Sequence, residues 1–290
     1  MNRLACIFAV ISCVAGAGGM AQADGIADGH KCATTRNDPD VAINYCVRAI
    51  YSGDLSQQQL AATYYNRGLE YKRKGDYQQA IKDFDSAIVL RSDFVRAFNS
   101  RGVAYFEMGE HKLAIEDFDA AIQIMPDDAS LRRNRGVLHF YGGDFAAAAP
   151  DLDAALQRDP GDPQNTLWLH VAQARNGRES SDVLAWYARN FDLNQWPGPV
   201  IAMFLGMIGP DVVADIGHRA FEQGDDMRQC QAYFYVGQYQ MIRGAADNAG
   251  EFFRAAVATR AVGALEYTGA LAELGRIGED ALTDAAADAN

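Results

Sequence analysis

Proline, tryptophan and cysteine are all scarce in this chain, at eight, three and five residues among 290. Few prolines leave long stretches without helix breakers, and abundant alanine and glycine favour close-packed helices over sheets. Positive charge is short as well: 26 Lys and Arg face 38 Asp and Glu, a formal net charge of −12, which excludes nonspecific nucleic-acid binding. Past the N-terminus no run of ~18 apolar residues occurs, so no later segment is expected to span a membrane. The usual signatures of chemistry are missing too. There is no Gly-x-Ser-x-Gly elbow, phosphate-cradling glycine loop or dinucleotide fingerprint. His30, His111, His139, His170 and His218 are scattered, with no two at a metal-ligand spacing. The expectation is a non-enzyme with no catalytic residue, no metal and no cofactor.

What is present begins with the first stretch, "MNRLACIFAVISCVAGAGGMAQADG". Arg3, an apolar stretch from Leu4 to about Ala15 and the small-x-small set Ala21-Gln22-Ala23 predict a signal peptide over 1–23, cut after Ala23. Val10-Ile11-Ser12-Cys13 offers a second export reading, a lipobox that would make Cys13 a lipid-bearing N-terminus and the protein an outer-membrane lipoprotein. Both readings take the protein out of the cytoplasm, to the periplasm. Three cysteines then remain: Cys32, Cys46 and Cys230. Export permits a disulfide, and a Cys32–Cys46 bridge would tie the segment before the first helix onto that helix. Cys230 is expected to be a small buried residue on a helix.

With 290 residues, nearly half of them apolar, the chain can form one extended domain or two compact ones. The choice is guided by a repeat. Arg-Gly recurs at 67/68, 101/102 and 135/136, a period of 34 in both steps. In phase with it, small residues fall at Gly68, Ala80 and Ala87, at Gly102, Ala114 and Ala121, and at Gly136, Ala148 and Ala155. Tyr64, Tyr71 and Phe84 fill the large positions of the first copy, and Phe98, Tyr105 and Phe118 those of the second. The third copy has Arg132, His139 and Leu152 there, a weaker set. Each copy predicts two packed helices joined at "KGDY", "MGEH" or "GGDF", with a glycine opposite two alanines letting the axes approach. Asp83/Asp85, Asp117/Asp119 and Asp151/Asp153 keep step with Arg67, Arg101 and Arg135. A packing solution is copied with its unit, so each arginine is expected to pair with a second-helix aspartate rather than with a ligand. Pro150 should kink the second helix of the third copy or shift its start.

These repeats resemble the tetratricopeptide repeat (TPR) family, which implies an all-α TPR superhelix. Three units over 59–162 are expected, preceded by an N-terminal capping helix with the disulfide over 24–58. Looser helices follow over 163–226, with Ser181 as an N-cap. A fourth TPR-like unit with a capping helix should occupy 227–276, and a frayed acidic tail 277–290. The runs "TLWLHVAQARNG", "WPGPVIAMFLG" and "CQAYFYVGQYQMIRGAADNAGEFFRAAVATRAVGALEYTGALAEL" are similar to NlpI-type bacterial TPR lipoproteins. That resemblance implies a periplasmic adaptor for protein partners, candidates being a carboxyl-terminal processing protease and cell-wall hydrolases, and association as a homodimer. Carried onto this chain, the concave wall of the TPR fold holds Tyr65, Asn66, Lys72, Arg73, Arg96, Asn99, Phe106, Arg133, Asn134, Phe140 and Tyr141. Amides there suit the backbone of an extended peptide and arginines its carboxylates. The alternative reading is a self-associating envelope scaffold without such a groove, dimerising through 163–226 or the apolar "VIAMFL".

Overall fold

A computed structural model describes residues 24–278; the proposed leader, Cys13 and residues 279–290 lie outside them. Among the described residues every regular element is helical, and they divide into two compact units that meet in sequence between Ser92 and Asp93. Unit 1 holds α1 (Gly25–Thr34), α2 (Pro39–Ser52), α3 (Gln57–Arg73) and α4 (Tyr77–Leu90). Unit 2 begins with α5 (Val95–Glu107), α6 (His111–Ile124), α7 (Ala129–Tyr141) and α8 (Phe145–Arg158). It continues with α9 (Pro163–Arg175), α10 (Ser181–Ala188), α11 (Gly198–Phe204) and α12 (Pro210–Glu222). It ends with α13 (Asp226–Ile242), α14 (Ala246–Ala258) and α15 (Leu265–Arg276). Consecutive helices pack as pairs in each unit, as a TPR-like solenoid requires.

The repeat chemistry is visible atom by atom. Gly68 lies against Phe84 so closely that a Cβ there would come within 2.7 Å of the ring, and Gly102 and Gly136 meet Phe118 and Leu152 in the same way. Arg67 donates through Nε and Nη2 to both oxygens of Asp83, at 2.8 and 2.7 Å. Arg101 does so to Asp117 at 2.9 and 2.5 Å, and Arg135 to Asp151 at 2.7 and 2.7 Å. All three aspartates are buried, and two-point pairing satisfies both carboxylate oxygens at once. The first two guanidinium groups also lie between aromatic rings, Arg67 near Tyr64 and Tyr71, Arg101 near Phe98 and Tyr105. In the third copy Arg132 and His139 replace those rings, and Arg135 instead gives Nη1 to Asp119 of the preceding copy at 2.6 Å. Its pKa is driven up by the Asp151 hydrogen bond and then by Asp119.

Three expectations need correction. The segment before α2 is itself a helix: Cys32 sits on α1 and Cys46 on α2, so the bridge joins two helices, with Cα atoms 4.9 Å apart. Pro150 neither breaks α8 nor moves its start, because it sits on the solvent side, where a carbonyl left without a helical donor can be hydrated. Helices α4, α6 and α8 keep the same length of 14 residues. The cap of α10 is Ser180 rather than Ser181, and its hydroxyl meets His170 Nδ1 at 2.9 Å instead of capping the helix. Burial lowers the His170 pKa to about 4, so the imidazole is neutral near pH 7.

In the looser half the fold takes up most of the apolar sequence. Val200, Ile201 and Met203 of the "VIAMFL" run are fully buried against the rest of unit 2, so that run is internal and presents no free face for self-association. Cys230 is buried on α13, and burial pushes its thiol up to about 12, which makes it unreactive near neutrality. Gly237 lies under Phe253 as Gly68 lies under Phe84, which makes α13 and α14 the repeat-like pair expected near the C-terminus. Helix α15 then packs on α13 and α14 and reaches back to α7.

Candidate functional site

The return of α15 shapes the site. Tyr141, the last residue of α7, donates its hydroxyl to the Leu265 carbonyl at 2.8 Å. Arg276, at the other end of α15, donates Nη1 to the Tyr141 carbonyl at 2.7 Å. These bonds hold α15 beside the first helices of two repeats. Between α5, α7 and α15 a hollow of about 220 Å³ remains, lined by Val103, Phe106, Val137, Leu138, Leu265 and, at its polar edge, Arg133 and Asn134. Phe106 stacks on Tyr141, with ring centroids 5.5 Å apart and planes 15° from parallel. Asn134 donates to Asn99 Oδ1 at 3.1 Å, which links the amides of two neighbouring repeats.

Arg133 carries the electrostatics. Unlike Arg135, it has no two-point carboxylate. Its Nη2 reaches Gln164 Oε1 only at 3.4 Å, its Nε stands 3.9 Å from Asp162 Oδ2, and that Nε is buried without a hydrogen-bond acceptor. A guanidinium left so loosely paired beside an apolar hollow can take an acceptor from a bound group. Here sit five of the residues expected at a binding wall: Asn99, Phe106, Arg133, Asn134 and Tyr141. Tyr141 is 4 % exposed and serves as a wall held from behind, not as an open contact.

The other expected residues fall elsewhere. Phe140 is fully buried, edge-on to Phe145 and Trp168, and belongs to the core; helix α9, packed on α7, covers the position that an open repeat would show to solvent. Arg96 is exposed near the Phe94 ring and does not line the hollow. Tyr65, Asn66, Lys72 and Arg73 belong to unit 1. Tyr65 lies 5.9 Å from Phe84, Lys72 is half-buried, and Arg73 pairs with Glu70 at 2.5 Å and donates to the Arg36 carbonyl. Asn66 lines a separate hollow of about 180 Å³ between α1 and α3, with His30, Gln59 and Thr63. Reasoning from sequence missed Leu265 and the whole of α15, which lies 124 residues from its partner Tyr141. Among the described residues no group of His, Cys, Asp and Glu could hold a metal ion, and no helix is long and apolar enough to cross a membrane.

Residues 65–129 and 133–189 match the family model described as Tetratricopeptide repeat. Two solved structures share the fold. A tetratricopeptide repeat protein from Parabacteroides merdae ATCC 43184 is 17 % identical, with a TM-score of 0.60 over 87 % of this chain and 99 % of that one. MamA from Desulfovibrio magneticus RS-1, residue 41 to the end, is 18 % identical, with a TM-score of 0.50 over 59 % of this chain and 95 % of that one.

Proposed function

We propose that this chain, a tetratricopeptide repeat protein and so a protein-interaction scaffold, is an exported adaptor that grips a partner segment in the hollow between α5, α7 and α15. The observation that carries this reading is the hollow itself: an apolar floor with an under-paired guanidinium and a pair of amides at its rim. About 220 Å³ suits a large apolar side chain better than a drug-sized ligand. The partner segment therefore places an aromatic or branched aliphatic residue against Phe106 and Leu138, with a carboxylate next to it on Arg133. Asn99 and Asn134 meet its backbone.

Export rests on the leader expected over 1–23, and it places the adaptor in the periplasm. Attachment to the outer membrane follows only if Cys13 is acylated. The likeness to NlpI-type proteins supports a processing protease or a cell-wall hydrolase as the partner. The test is capture from envelope extract, identified by mass spectrometry, with wild type, Arg133→Glu and Arg96→Glu in parallel. The expected result is a specific partner that Arg133→Glu loses by at least tenfold and Arg96→Glu keeps. Equal capture by wild type and Arg133→Glu would move the contact to another surface.

A further inference from the structure

Helix α15 carries two carboxylates that water does not reach, Glu266 and Glu273, both at 0 % exposure and two turns apart on one face. Their surroundings differ in one respect. Glu273 has two countercharges, Arg175 Nη1 at 2.8 Å and Arg276 Nη2 at 2.7 Å, besides the amide of Gln238 at 2.8 Å. Burial alone would raise its pKa, yet these partners outweigh that and hold it below the usual carboxylate range. Glu266 has neutral partners. Its Oε1 accepts from Gln164 at 2.8 Å and from the Tyr235 hydroxyl at 3.0 Å, its Oε2 from Gln231 at 3.4 Å, and no ion pair to it exists among the described residues. Three donors converging on both oxygens are the surroundings of an ionised carboxylate, not of a carboxylic acid. A charge so buried and lacking an opposite one keeps a desolvation cost that nothing offsets.

Beside it is space. A cavity of about 320 Å³ is bounded by Glu266, Gln164, Gln231, Tyr235, Asp162 and Trp196. Asp162 stands at its rim with 27 % of its side chain exposed, and Trp196 is fixed by donating Nε1–H to Gln231 Oε1 at 2.7 Å. Burial and then the charge of Glu266 hold the Tyr235 hydroxyl well above its ordinary range, and Asp162 acts in the same direction. The field in this corner of unit 2 is thus negative, and the cavity contains a carboxylate, an indole and amides but no cation.

We propose that this cavity binds an alkylguanidinium or alkylammonium group, the countercharge that Glu266 lacks. Asp162 contacts the cation at the mouth, the Trp196 ring covers one side, and Glu266 draws it from the floor. The bound group is an arginine or lysine side chain of a protein partner, or a small free base of the same chemistry. No residue lining this cavity also lines the hollow between α5, α7 and α15, so the two assignments fail separately.

Calorimetric titration of the purified protein with N-acetyl-arginine methylamide, N-acetyl-lysine methylamide, the neutral N-acetyl-norleucine methylamide and agmatine tests the site. At least one cationic probe should bind tenfold or more tightly than the norleucine probe and raise Tm. Glu266→Gln, which keeps the acceptor oxygen, should weaken that probe at least tenfold and melt no lower than wild type without ligand. Asp162→Asn should weaken it too, because asparagine still caps α9. Agmatine binding as well as the capped arginine would assign a free base, and preference for the capped amino acid a partner side chain. Equal binding of the norleucine probe, no binding of any cation, or unchanged affinity in Glu266→Gln would overturn the proposal. If Glu266→Gln does not fold, unchanged affinity in Asp162→Asn overturns it instead.

Discussion

Helix α1 is fastened to unit 1 by a covalent bond, whereas α15 is fastened to unit 2 by buried charge. Both lie over the first helix of a repeat, α1 on α3 and α15 on α7, and each leaves a hollow behind it. A ten-residue helix such as α1 is too short to be stable alone and buries little apolar surface beyond Cys32. The bridge to Cys46 and the Arg48–Asp28 pair at 2.6 Å supply what packing does not. Helix α15 has no covalent tie and meets helices distant in sequence, so its attachment is chemical detail: Arg175, Gln238 and Arg276 around Glu273, and Gly269 under Phe234. A terminal repeat exposes a face that a further repeat would otherwise bury, and the two ends of this chain answer that exposure differently.

The contrast is sharpest where one partner can be removed. Glu273→Gln should destabilise unit 2 by about 3–5 kcal/mol, because it leaves Arg175 and Arg276 buried against a neutral amide. Urea denaturation checks this, with the midpoint falling and the slope unchanged. The same pair has a pH signature. Because the folded pKa of Glu273 is depressed, its contribution is present above the unfolded value of about 4.3 and is lost as pH falls through the lower folded value. Replacing Cys32 and Cys46 by serine should cost about 3 kcal/mol, the chain-entropy value for so short a loop. Amide exchange should locate that loss in unit 1 and leave α15 protected. A uniform loss across both units would break the comparison.

The smallest effects separate two glycines of α15. A Cβ on Gly269 would stand 2.7 Å from Phe234, so Gly269→Ala should cost about 1–3 kcal/mol by overpacking. Gly275 meets nothing within 4 Å, and Gly275→Ala should stabilise by about 0.5–1 kcal/mol through helix propensity. Thermal melts of the two variants should therefore move in opposite directions.

How far the sequence could be read follows from how each contact is encoded. Arg67, Arg101 and Arg135 find their aspartates 16 residues on in every copy, so period alone identified the pairs. The Cys32–Cys46 partnership was legible because so few cysteines remained after the expected leader. The binding wall was legible only in part. Asn99, Phe106, Arg133 and Asn134 stayed at the hollow, but Phe140 became core because α9 packs over it. The family pattern describes an open stack of repeats and does not include a helix that folds back.

Repeat period, helix pairing, the glycine–aromatic contacts and the scaffold role of the arginines were determined by sequence alone, since each depends on neighbours at fixed, short separations. Only the tertiary structure decided the rest. Tyr141 meets Leu265 across 124 residues, Gln164 meets Glu266 across 102, and Arg175 meets Glu273 across 98. Such pairings occur once, so no periodicity marks them. They depend on where the loosened helices α9 to α13 place α15, which is set by packing of the whole unit rather than by any local signal.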